Sequence, residues 1–156
     1  MLDTRTGSFT EFVRGAEPKL RHALISAYGR QEGWEAVAEA LAYAWEHWDR
    51  IQTMENPIGY LYRVGRSRGR WGFRRSRVIH EMNPVPGDSP WIEPALPAAL
   101  RRLSPRQRTA VMLIKGYGWT YQEVADLTGI SLSSVQNHVE RALAKLRADL
   151  EVRNGV

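Results

Sequence analysis

Two clusters of side chains in this chain could do chemistry, and both suit nucleic acid. Residues 56–80 hold seven arginines (Arg63, Arg66, Arg68, Arg70, Arg74, Arg75 and Arg77) and no acid, and Tyr60, Tyr62, Trp71 and Phe73 are interleaved with them. Guanidinium groups seek phosphate and flat rings offer stacking surfaces to bases, so the mixture fits a bound strand or duplex. The second cluster, Ser133, Ser134, Gln136, Asn137, Glu140 and Arg141, places uncharged hydrogen-bonding groups first and charged ones later along one helical face. Asn and Gln amides each offer a donor beside an acceptor, the pattern that major-groove base edges complement. His138 lies on the same helix, as a side chain placed to touch DNA rather than to act as a general base. A charge run is most often only a solvated face; seven arginines unrelieved by an acid argue otherwise.

Catalysis is not expected. His80 and Glu81 lack a second histidine at metal-binding spacing, no glycine-rich loop runs into Lys-Ser or Lys-Thr, and the chain has no cysteine. These absences imply no enzyme activity, no catalytic residue, no metal and no cofactor. The net charge of +5 is unevenly placed, since residues 56–80 alone carry seven positive charges, which points to a polyphosphate partner. Without cysteines, without an apolar run of the roughly 20 residues that span a bilayer, and with MLDTRTGSF at the start, the expectation is a cytoplasmic protein with no membrane partner.

The elements that must position the second cluster are written in their own caps. Ser104, Pro105 and Gln107 form a capping box that opens a helix ending near Gly116; Thr120 and Glu123 repeat it for a short helix, Tyr121 to Thr128, stopped by Gly129. Ser131 caps a third helix, in which Val135, Val139, Ala142, Leu143 and Leu146 make an apolar stripe opposite the polar face. A short helix, a glycine turn and a helix with polar early residues is the geometry of a helix-turn-helix. A plain helical hairpin would account for any one of these helices, but not for three caps at these offsets.

Earlier in the chain, Ser8 and Glu11 predict a helix start, Pro18 a restart up to Tyr28-Gly29, and Gly33 the approach to a helix from Trp34 to Trp48. That helix has an apolar side, including Trp45 and Trp48, and a smooth acidic one at Glu35, Glu39, Ala42 and Glu46. After a connector over residues 50–55, Asn56 caps and Pro57 begins the arginine helix, which Gly65, Gly69 and Gly72 weaken by up to about 1 kcal/mol each relative to Ala. Residues 78–93 lack any helical period and hold three of the eight prolines, and Pro97 starts a short helix, Ala98 to Leu103. The expected fold is all-α: two small helical domains, a three- to four-helix module over residues 1–77 and a four-helix module with the helix-turn-helix over residues 95–156, joined by a flexible linker over residues 78–94.

With both modules assembled, the sequence resembles bacterial RNA polymerase sigma factors of the extracytoplasmic-function class, which keep the second and fourth conserved regions. The resemblance is carried by LSPRQR (Leu103 to Arg108), YQEVADLTGIS (Tyr121 to Ser131) and SVQNHVERALAKLR (Ser134 to Arg147) in the fourth region, and by EAVAEALAYAW (Glu35 to Trp45) and NPIGYLYRVGRSRGR (Asn56 to Arg70) in the second. It implies that Glu35, Glu39, Ala42 and Glu46 meet the polymerase clamp helices, and that residues 51–56 lie where a flipped minus-10 base is captured. It places Asn56, Tyr60, Arg63, Arg66, Ser67, Arg70, Arg74 and Arg75 on minus-10 DNA. Ser133, Ser134, Gln136, Asn137, His138 and Arg141 then read the minus-35 element, with Arg106, Thr120 and Gln122 near its phosphates. The implied partners are core RNA polymerase, promoter DNA and an anti-sigma factor that masks these surfaces. Two other readings compete: a helix-turn-helix regulator that never joins polymerase, and an adaptor whose arginines bind RNA.

Overall fold

A computed structural model describes residues 2–76 and 95–154, and the side chains of residues 4–68 and 95–151. The described residues are helical, without strands. In order they form α1 (Leu2–Tyr28), α2 (Arg30–Glu46), α3 (Trp48–Ile51), α4 (Pro57–Ser76), α5 (Leu96–Arg101), α6 (Pro105–Val111), α7 (Tyr121–Thr128) and α8 (Leu132–Asn154), with α6 running on into a π-helical turn over Met112–Gly116. The expected linker, residues 78–94, lies outside the described residues, as does Arg77.

The first module departs from its local signals. α1 is one helix with Pro18 inside it, although proline forfeits an intrahelical hydrogen bond and crowds the preceding turn. Ala16, Leu20, Ala23 and Leu24 are completely buried on the same helix, and this packed stripe carries the helix through the proline, since helical stability in proteins comes mainly from tertiary packing. Ser8 is not a cap: its hydroxyl donates to the Arg5 carbonyl (3.1 Å) and accepts from the Trp48 indole (3.0 Å). The residues expected as a connector begin instead with the short helix α3, whose Trp48 and Ile51 are buried. Of the two tryptophans expected in the core, Trp48 is there, but Trp45 is 37% exposed, tilted on Phe9 and roofed by Arg5.

Two glycines let helices touch. A β-carbon on Gly33 would lie 2.5 Å from the Ile25 Cα, and one on Gly65 would lie 2.8 Å from Leu24 Cδ1 and 3.2 Å from the Ala36 carbonyl. Thus Gly65 does not simply weaken α4; it allows α4 to settle on α1 and α2. Gly33→Ala gains at most about 1 kcal/mol of helix propensity, but drives a methyl into backbone, where overpacking costs about 1–3 kcal/mol or more. The cost wins. We expect a lower denaturation midpoint for G33A; an unchanged or higher midpoint would contradict the close helix crossing.

The second module follows its caps closely. Both capping boxes are formed, Ser104 with Gln107 and Thr120 with Glu123. Gly129 ends α7 in the left-handed region at φ 74°, and the Ser131 hydroxyl accepts from the Ser134 amide at 3.1 Å.

The two modules are packed together. Leu20, Leu24, Val37, Ile51 and Leu61 of the first share one apolar cluster with Leu113, Val124, Val135 and Val139 of the second. A satellite cluster of Ala99, Leu103, Val111, Ala142 and Leu146 fastens α5 and α6 to α8. Across the boundary α1 lies on α6, and α4 on α7.

Candidate nucleic-acid interface

α8 is held by burial of Val135, Val139, Ala142 and Leu146, which leaves the opposite face outward. Ser133, Gln136, Asn137, Glu140 and Arg141 are exposed there, with Ser134 and His138 half-buried. The hydroxyls of Ser133 and Ser134 are both engaged with Ser131, at 3.2 and 2.8 Å, so these serines complete the helix start. Gln136 and Asn137 are exposed and make no side-chain hydrogen bond among the described residues. His138 is held below the ordinary imidazole pKa by burial and by the charges of Arg106 and Arg141. Arg106 is exposed, and its charge is felt by His138 of α8. Thr120 and Gln122 are also exposed but are engaged within the chain: the Thr120 hydroxyl donates to Glu123 (3.0 Å) and the Gln122 amide donates to Asp126 (2.8 Å). Leu132, 42% exposed at the head of α8, is an apolar member of this face that pattern reading did not single out.

The second surface lies between α2 and α4. Tyr43, Tyr60, Arg63, Val64, Ser67 and Arg68 line a groove of about 300 Å³. The hydroxyls of Tyr43 and Tyr60 are 3.1 Å apart, and Arg50 donates to both, at 2.8 and 3.3 Å. The hydrogen bond with Tyr43, with Arg50 and Arg63 nearby, holds the Tyr60 hydroxyl below the ordinary phenol pKa. Arg68 sits 5.9 Å from the Tyr43 ring centre and pairs with Glu39 at 3.8 Å. Two rings and several guanidinium groups around an open groove can hold a flat, electron-rich group next to a phosphate. Sequence reading found Tyr60, Arg63 and Ser67 but missed Tyr43 and Arg50. Their only sequence signal was an aromatic and a cation seven residues apart, which no local periodicity connects to α4.

Asn56 caps α4, as its sequence position predicts, and also reaches α7. Its Oδ1 accepts from the Gly59 amide at 3.0 Å, capping α4, while its Nδ2 donates to the Asp126 carbonyl on α7 at 2.8 Å. The amide is therefore occupied within the chain. Arg66 is half-buried, and its carbonyl accepts from the Tyr28 hydroxyl. Arg70, Arg74 and Arg75 belong to the last turns of α4, where side chains lie outside the described residues. On α2, Glu35, Glu39, Ala42 and Glu46 are all exposed and form the acidic face that the sequence spacing predicts. Among the described residues there is no group of His, Asp and Glu able to hold a metal ion, and no helix is long and apolar enough to cross a membrane.

Residues 94–146 match the family described as Sigma-70, region 4. The ECF RNA polymerase sigma factor EcfG of Rhodopseudomonas palustris is 28% identical over 158 residues, spanning 94% of this chain and 87% of that one. The RNA polymerase sigma-E factor of Streptomyces antibioticus is 30% identical over 130 residues, spanning 77% of this chain and 71% of its own. Among solved structures, the sigma factor RpoE from Bartonella quintana, crystallised with the anti-sigma factor NepR, has the same fold with a TM-score of 0.66 at 24% identity, covering 93% of this chain and 98% of that one. The likeness runs through both modules, and the chain belongs to the RNA polymerase sigma factors, in their extracytoplasmic-function class.

Proposed function

We propose that this protein binds core RNA polymerase and directs it to promoters, the polymerase itself carrying out RNA synthesis. The exposed α2 face of Glu35, Glu39, Ala42 and Glu46 serves as the polymerase contact. The groove of Tyr43, Tyr60, Arg63, Ser67 and Arg68 takes an unstacked base of the minus-10 element, with Asn56, Arg66, Arg70, Arg74 and Arg75 along the entering duplex. α8 reads the minus-35 element, through Gln136 and Asn137 first, with Arg106, Arg141, His138, Ser133, Ser134, Thr120 and Gln122 around them. One observation carries the reading: a single chain presents both a ring-and-guanidinium groove suited to an unpaired base and an uncommitted amide pair suited to a duplex. Duplex readers that never join polymerase need the second but not the first, and they leave the acidic face of α2 without a role. An anti-sigma factor, the class of partner bound by the Bartonella quintana relative, would act by covering these same faces.

Holding DNA through phosphates makes binding depend on salt. If Arg63, Arg70 and Arg74 each neutralise one phosphate, replacing all three by alanine lowers the slope of log affinity against log salt by about 3. Titration of promoter affinity between low and moderate salt measures it, and an unchanged slope removes these arginines from the phosphate contact. The reading as a whole is tested by transcription from promoter DNA with core polymerase, with and without the protein.

A further inference from the structure

Four large apolar side chains are exposed among the described residues: Trp34, Trp45, Tyr117 and Leu132. Three of them have a covering side chain. Arg21 lies over Trp34, Arg5 lies over Trp45, and Tyr117 stacks on His22. Leu132 belongs to neither apolar cluster, and the exposed side chains that share its face of α8 are the polar Ser133, Gln136 and Asn137. A solitary exposed leucine is ordinary on a protein surface; the place of this one in the fold gives it a use.

Leu132 is the first residue of α8. The start of that helix is fixed, since the Ser131 hydroxyl accepts from the Ser134 amide at 3.1 Å. Residues four apart share a helical face, so Leu132 stands in line with Gln136, one turn nearer the start. Helical side chains also lean toward the helix start, which makes Leu132 the leading side chain of the face assigned to the duplex. Hydrogen-bonding groups dominate the base edges of a major groove, and the apolar feature among them is the C5-methyl group of thymine. A leucine side chain neither donates nor accepts, so that methyl is what it can recognise.

We infer that Leu132 is a specificity-determining residue, which selects thymine at one position of the minus-35 element by packing on its methyl group. The inference rests on the reading of α8 under Proposed function and names a base that this reading leaves open. Cytosine lacks the methyl and presents an amino donor, and the purines present further polar atoms; each would set an unpaired polar group against the leucine. From Leu132 to Gln136 is about 6 Å along the helix, and one base pair occupies about 3.4 Å of duplex. The thymine therefore lies within about two base pairs of the one that Gln136 reads.

Minus-35 duplexes selected from a random pool by the full protein bound to core polymerase supply the probe. Each thymine of the selected sequence is replaced singly by deoxyuridine, which removes the methyl and keeps the pairing, and binding is measured by competition. We expect one replacement to lower affinity about fourfold, the effect of taking one methyl group out of an apolar contact. Leu132→Ala should bind the thymine duplex about fourfold or more weakly and no longer distinguish it from the deoxyuridine duplex. Leu132→Met, which keeps an apolar side chain, should retain the distinction, and circular dichroism separates a lost contact from a lost fold. A selected element without thymine overturns the proposal, as does a thymine-to-deoxyuridine difference that Leu132→Ala leaves unchanged at every position. If no sequence were selected, or if selection ignored Gln136→Ala and Asn137→Ala, the reading of α8 would fall and this inference with it. Selection that depends on those amides but not on Leu132 would strike this inference alone.

Discussion

Replacing Gln136 and Asn137 together by alanine will lower discrimination between cognate and mismatched minus-35 sequences by about 30-fold or more, while leaving affinity for unrelated duplex nearly unchanged. Each amide that pairs with a base edge contributes about 1–3 kcal/mol against the wrong base, so losing two removes at least about 2 kcal/mol, or more than a tenfold step. Neither side chain carries charge, and non-specific binding rests on phosphate neutralisation, which Arg106 and Arg141 would still supply. Fold stability should change little, because both residues are exposed on α8 and make no side-chain hydrogen bond among the described residues. Competition binding on cognate and scrambled minus-35 duplexes measures the effect. Equal loss on both would mean that α8 holds DNA without reading it.

The second large effect is expected at Tyr60. Stacking of a base on an aromatic ring contributes about 1–3 kcal/mol, so Tyr60→Ala should reduce strand opening at the minus-10 element by about 5- to 100-fold. Tyr60→Phe keeps the ring and loses only the hydroxyl shared with Tyr43 and Arg50, so it should keep most of the opening. Permanganate reactivity of unpaired thymines in the polymerase complex reports opening directly. If the phenylalanine variant fell as far as the alanine variant, the groove would work through its hydroxyl network and not through stacking.

How much of this was legible in the sequence depended on the range of the interaction. α7 runs over the residues its signals predict, because the Thr120–Glu123 capping box and the positive-φ Gly129 act within a few residues of the helix they bound. Asn56 was rightly read as the cap of α4, since Gly59 is three residues away. Pro18 misled, because the local preference for a helix start was outweighed by Leu20 and Leu24 buried against other helices. Trp45 misled as well: it leans on Phe9 of α1 yet stays 37% exposed, with Arg5 over its ring. The groove was half legible. Tyr60 and Arg63 stood out in a basic run, whereas Tyr43 joins them only when α4 crosses α2, a crossing that depends on the missing side chain of Gly65. The hold of Arg108 on Ser26 and Ala27 spans more than eighty residues of sequence, and nothing in LSPRQR distinguishes an arginine for phosphate from one for a helix end.

The central claim is that one chain supplies polymerase with both a promoter address and a means of holding an unpaired base. Its most direct measurement is transcription by purified core RNA polymerase on a pool of random promoter sequences, with and without the protein. The account predicts protein-dependent transcripts from a subset that shares one minus-35 and one minus-10 motif at fixed spacing. Transcripts independent of the protein, or protein bound to DNA with no transcript gained, would contradict it.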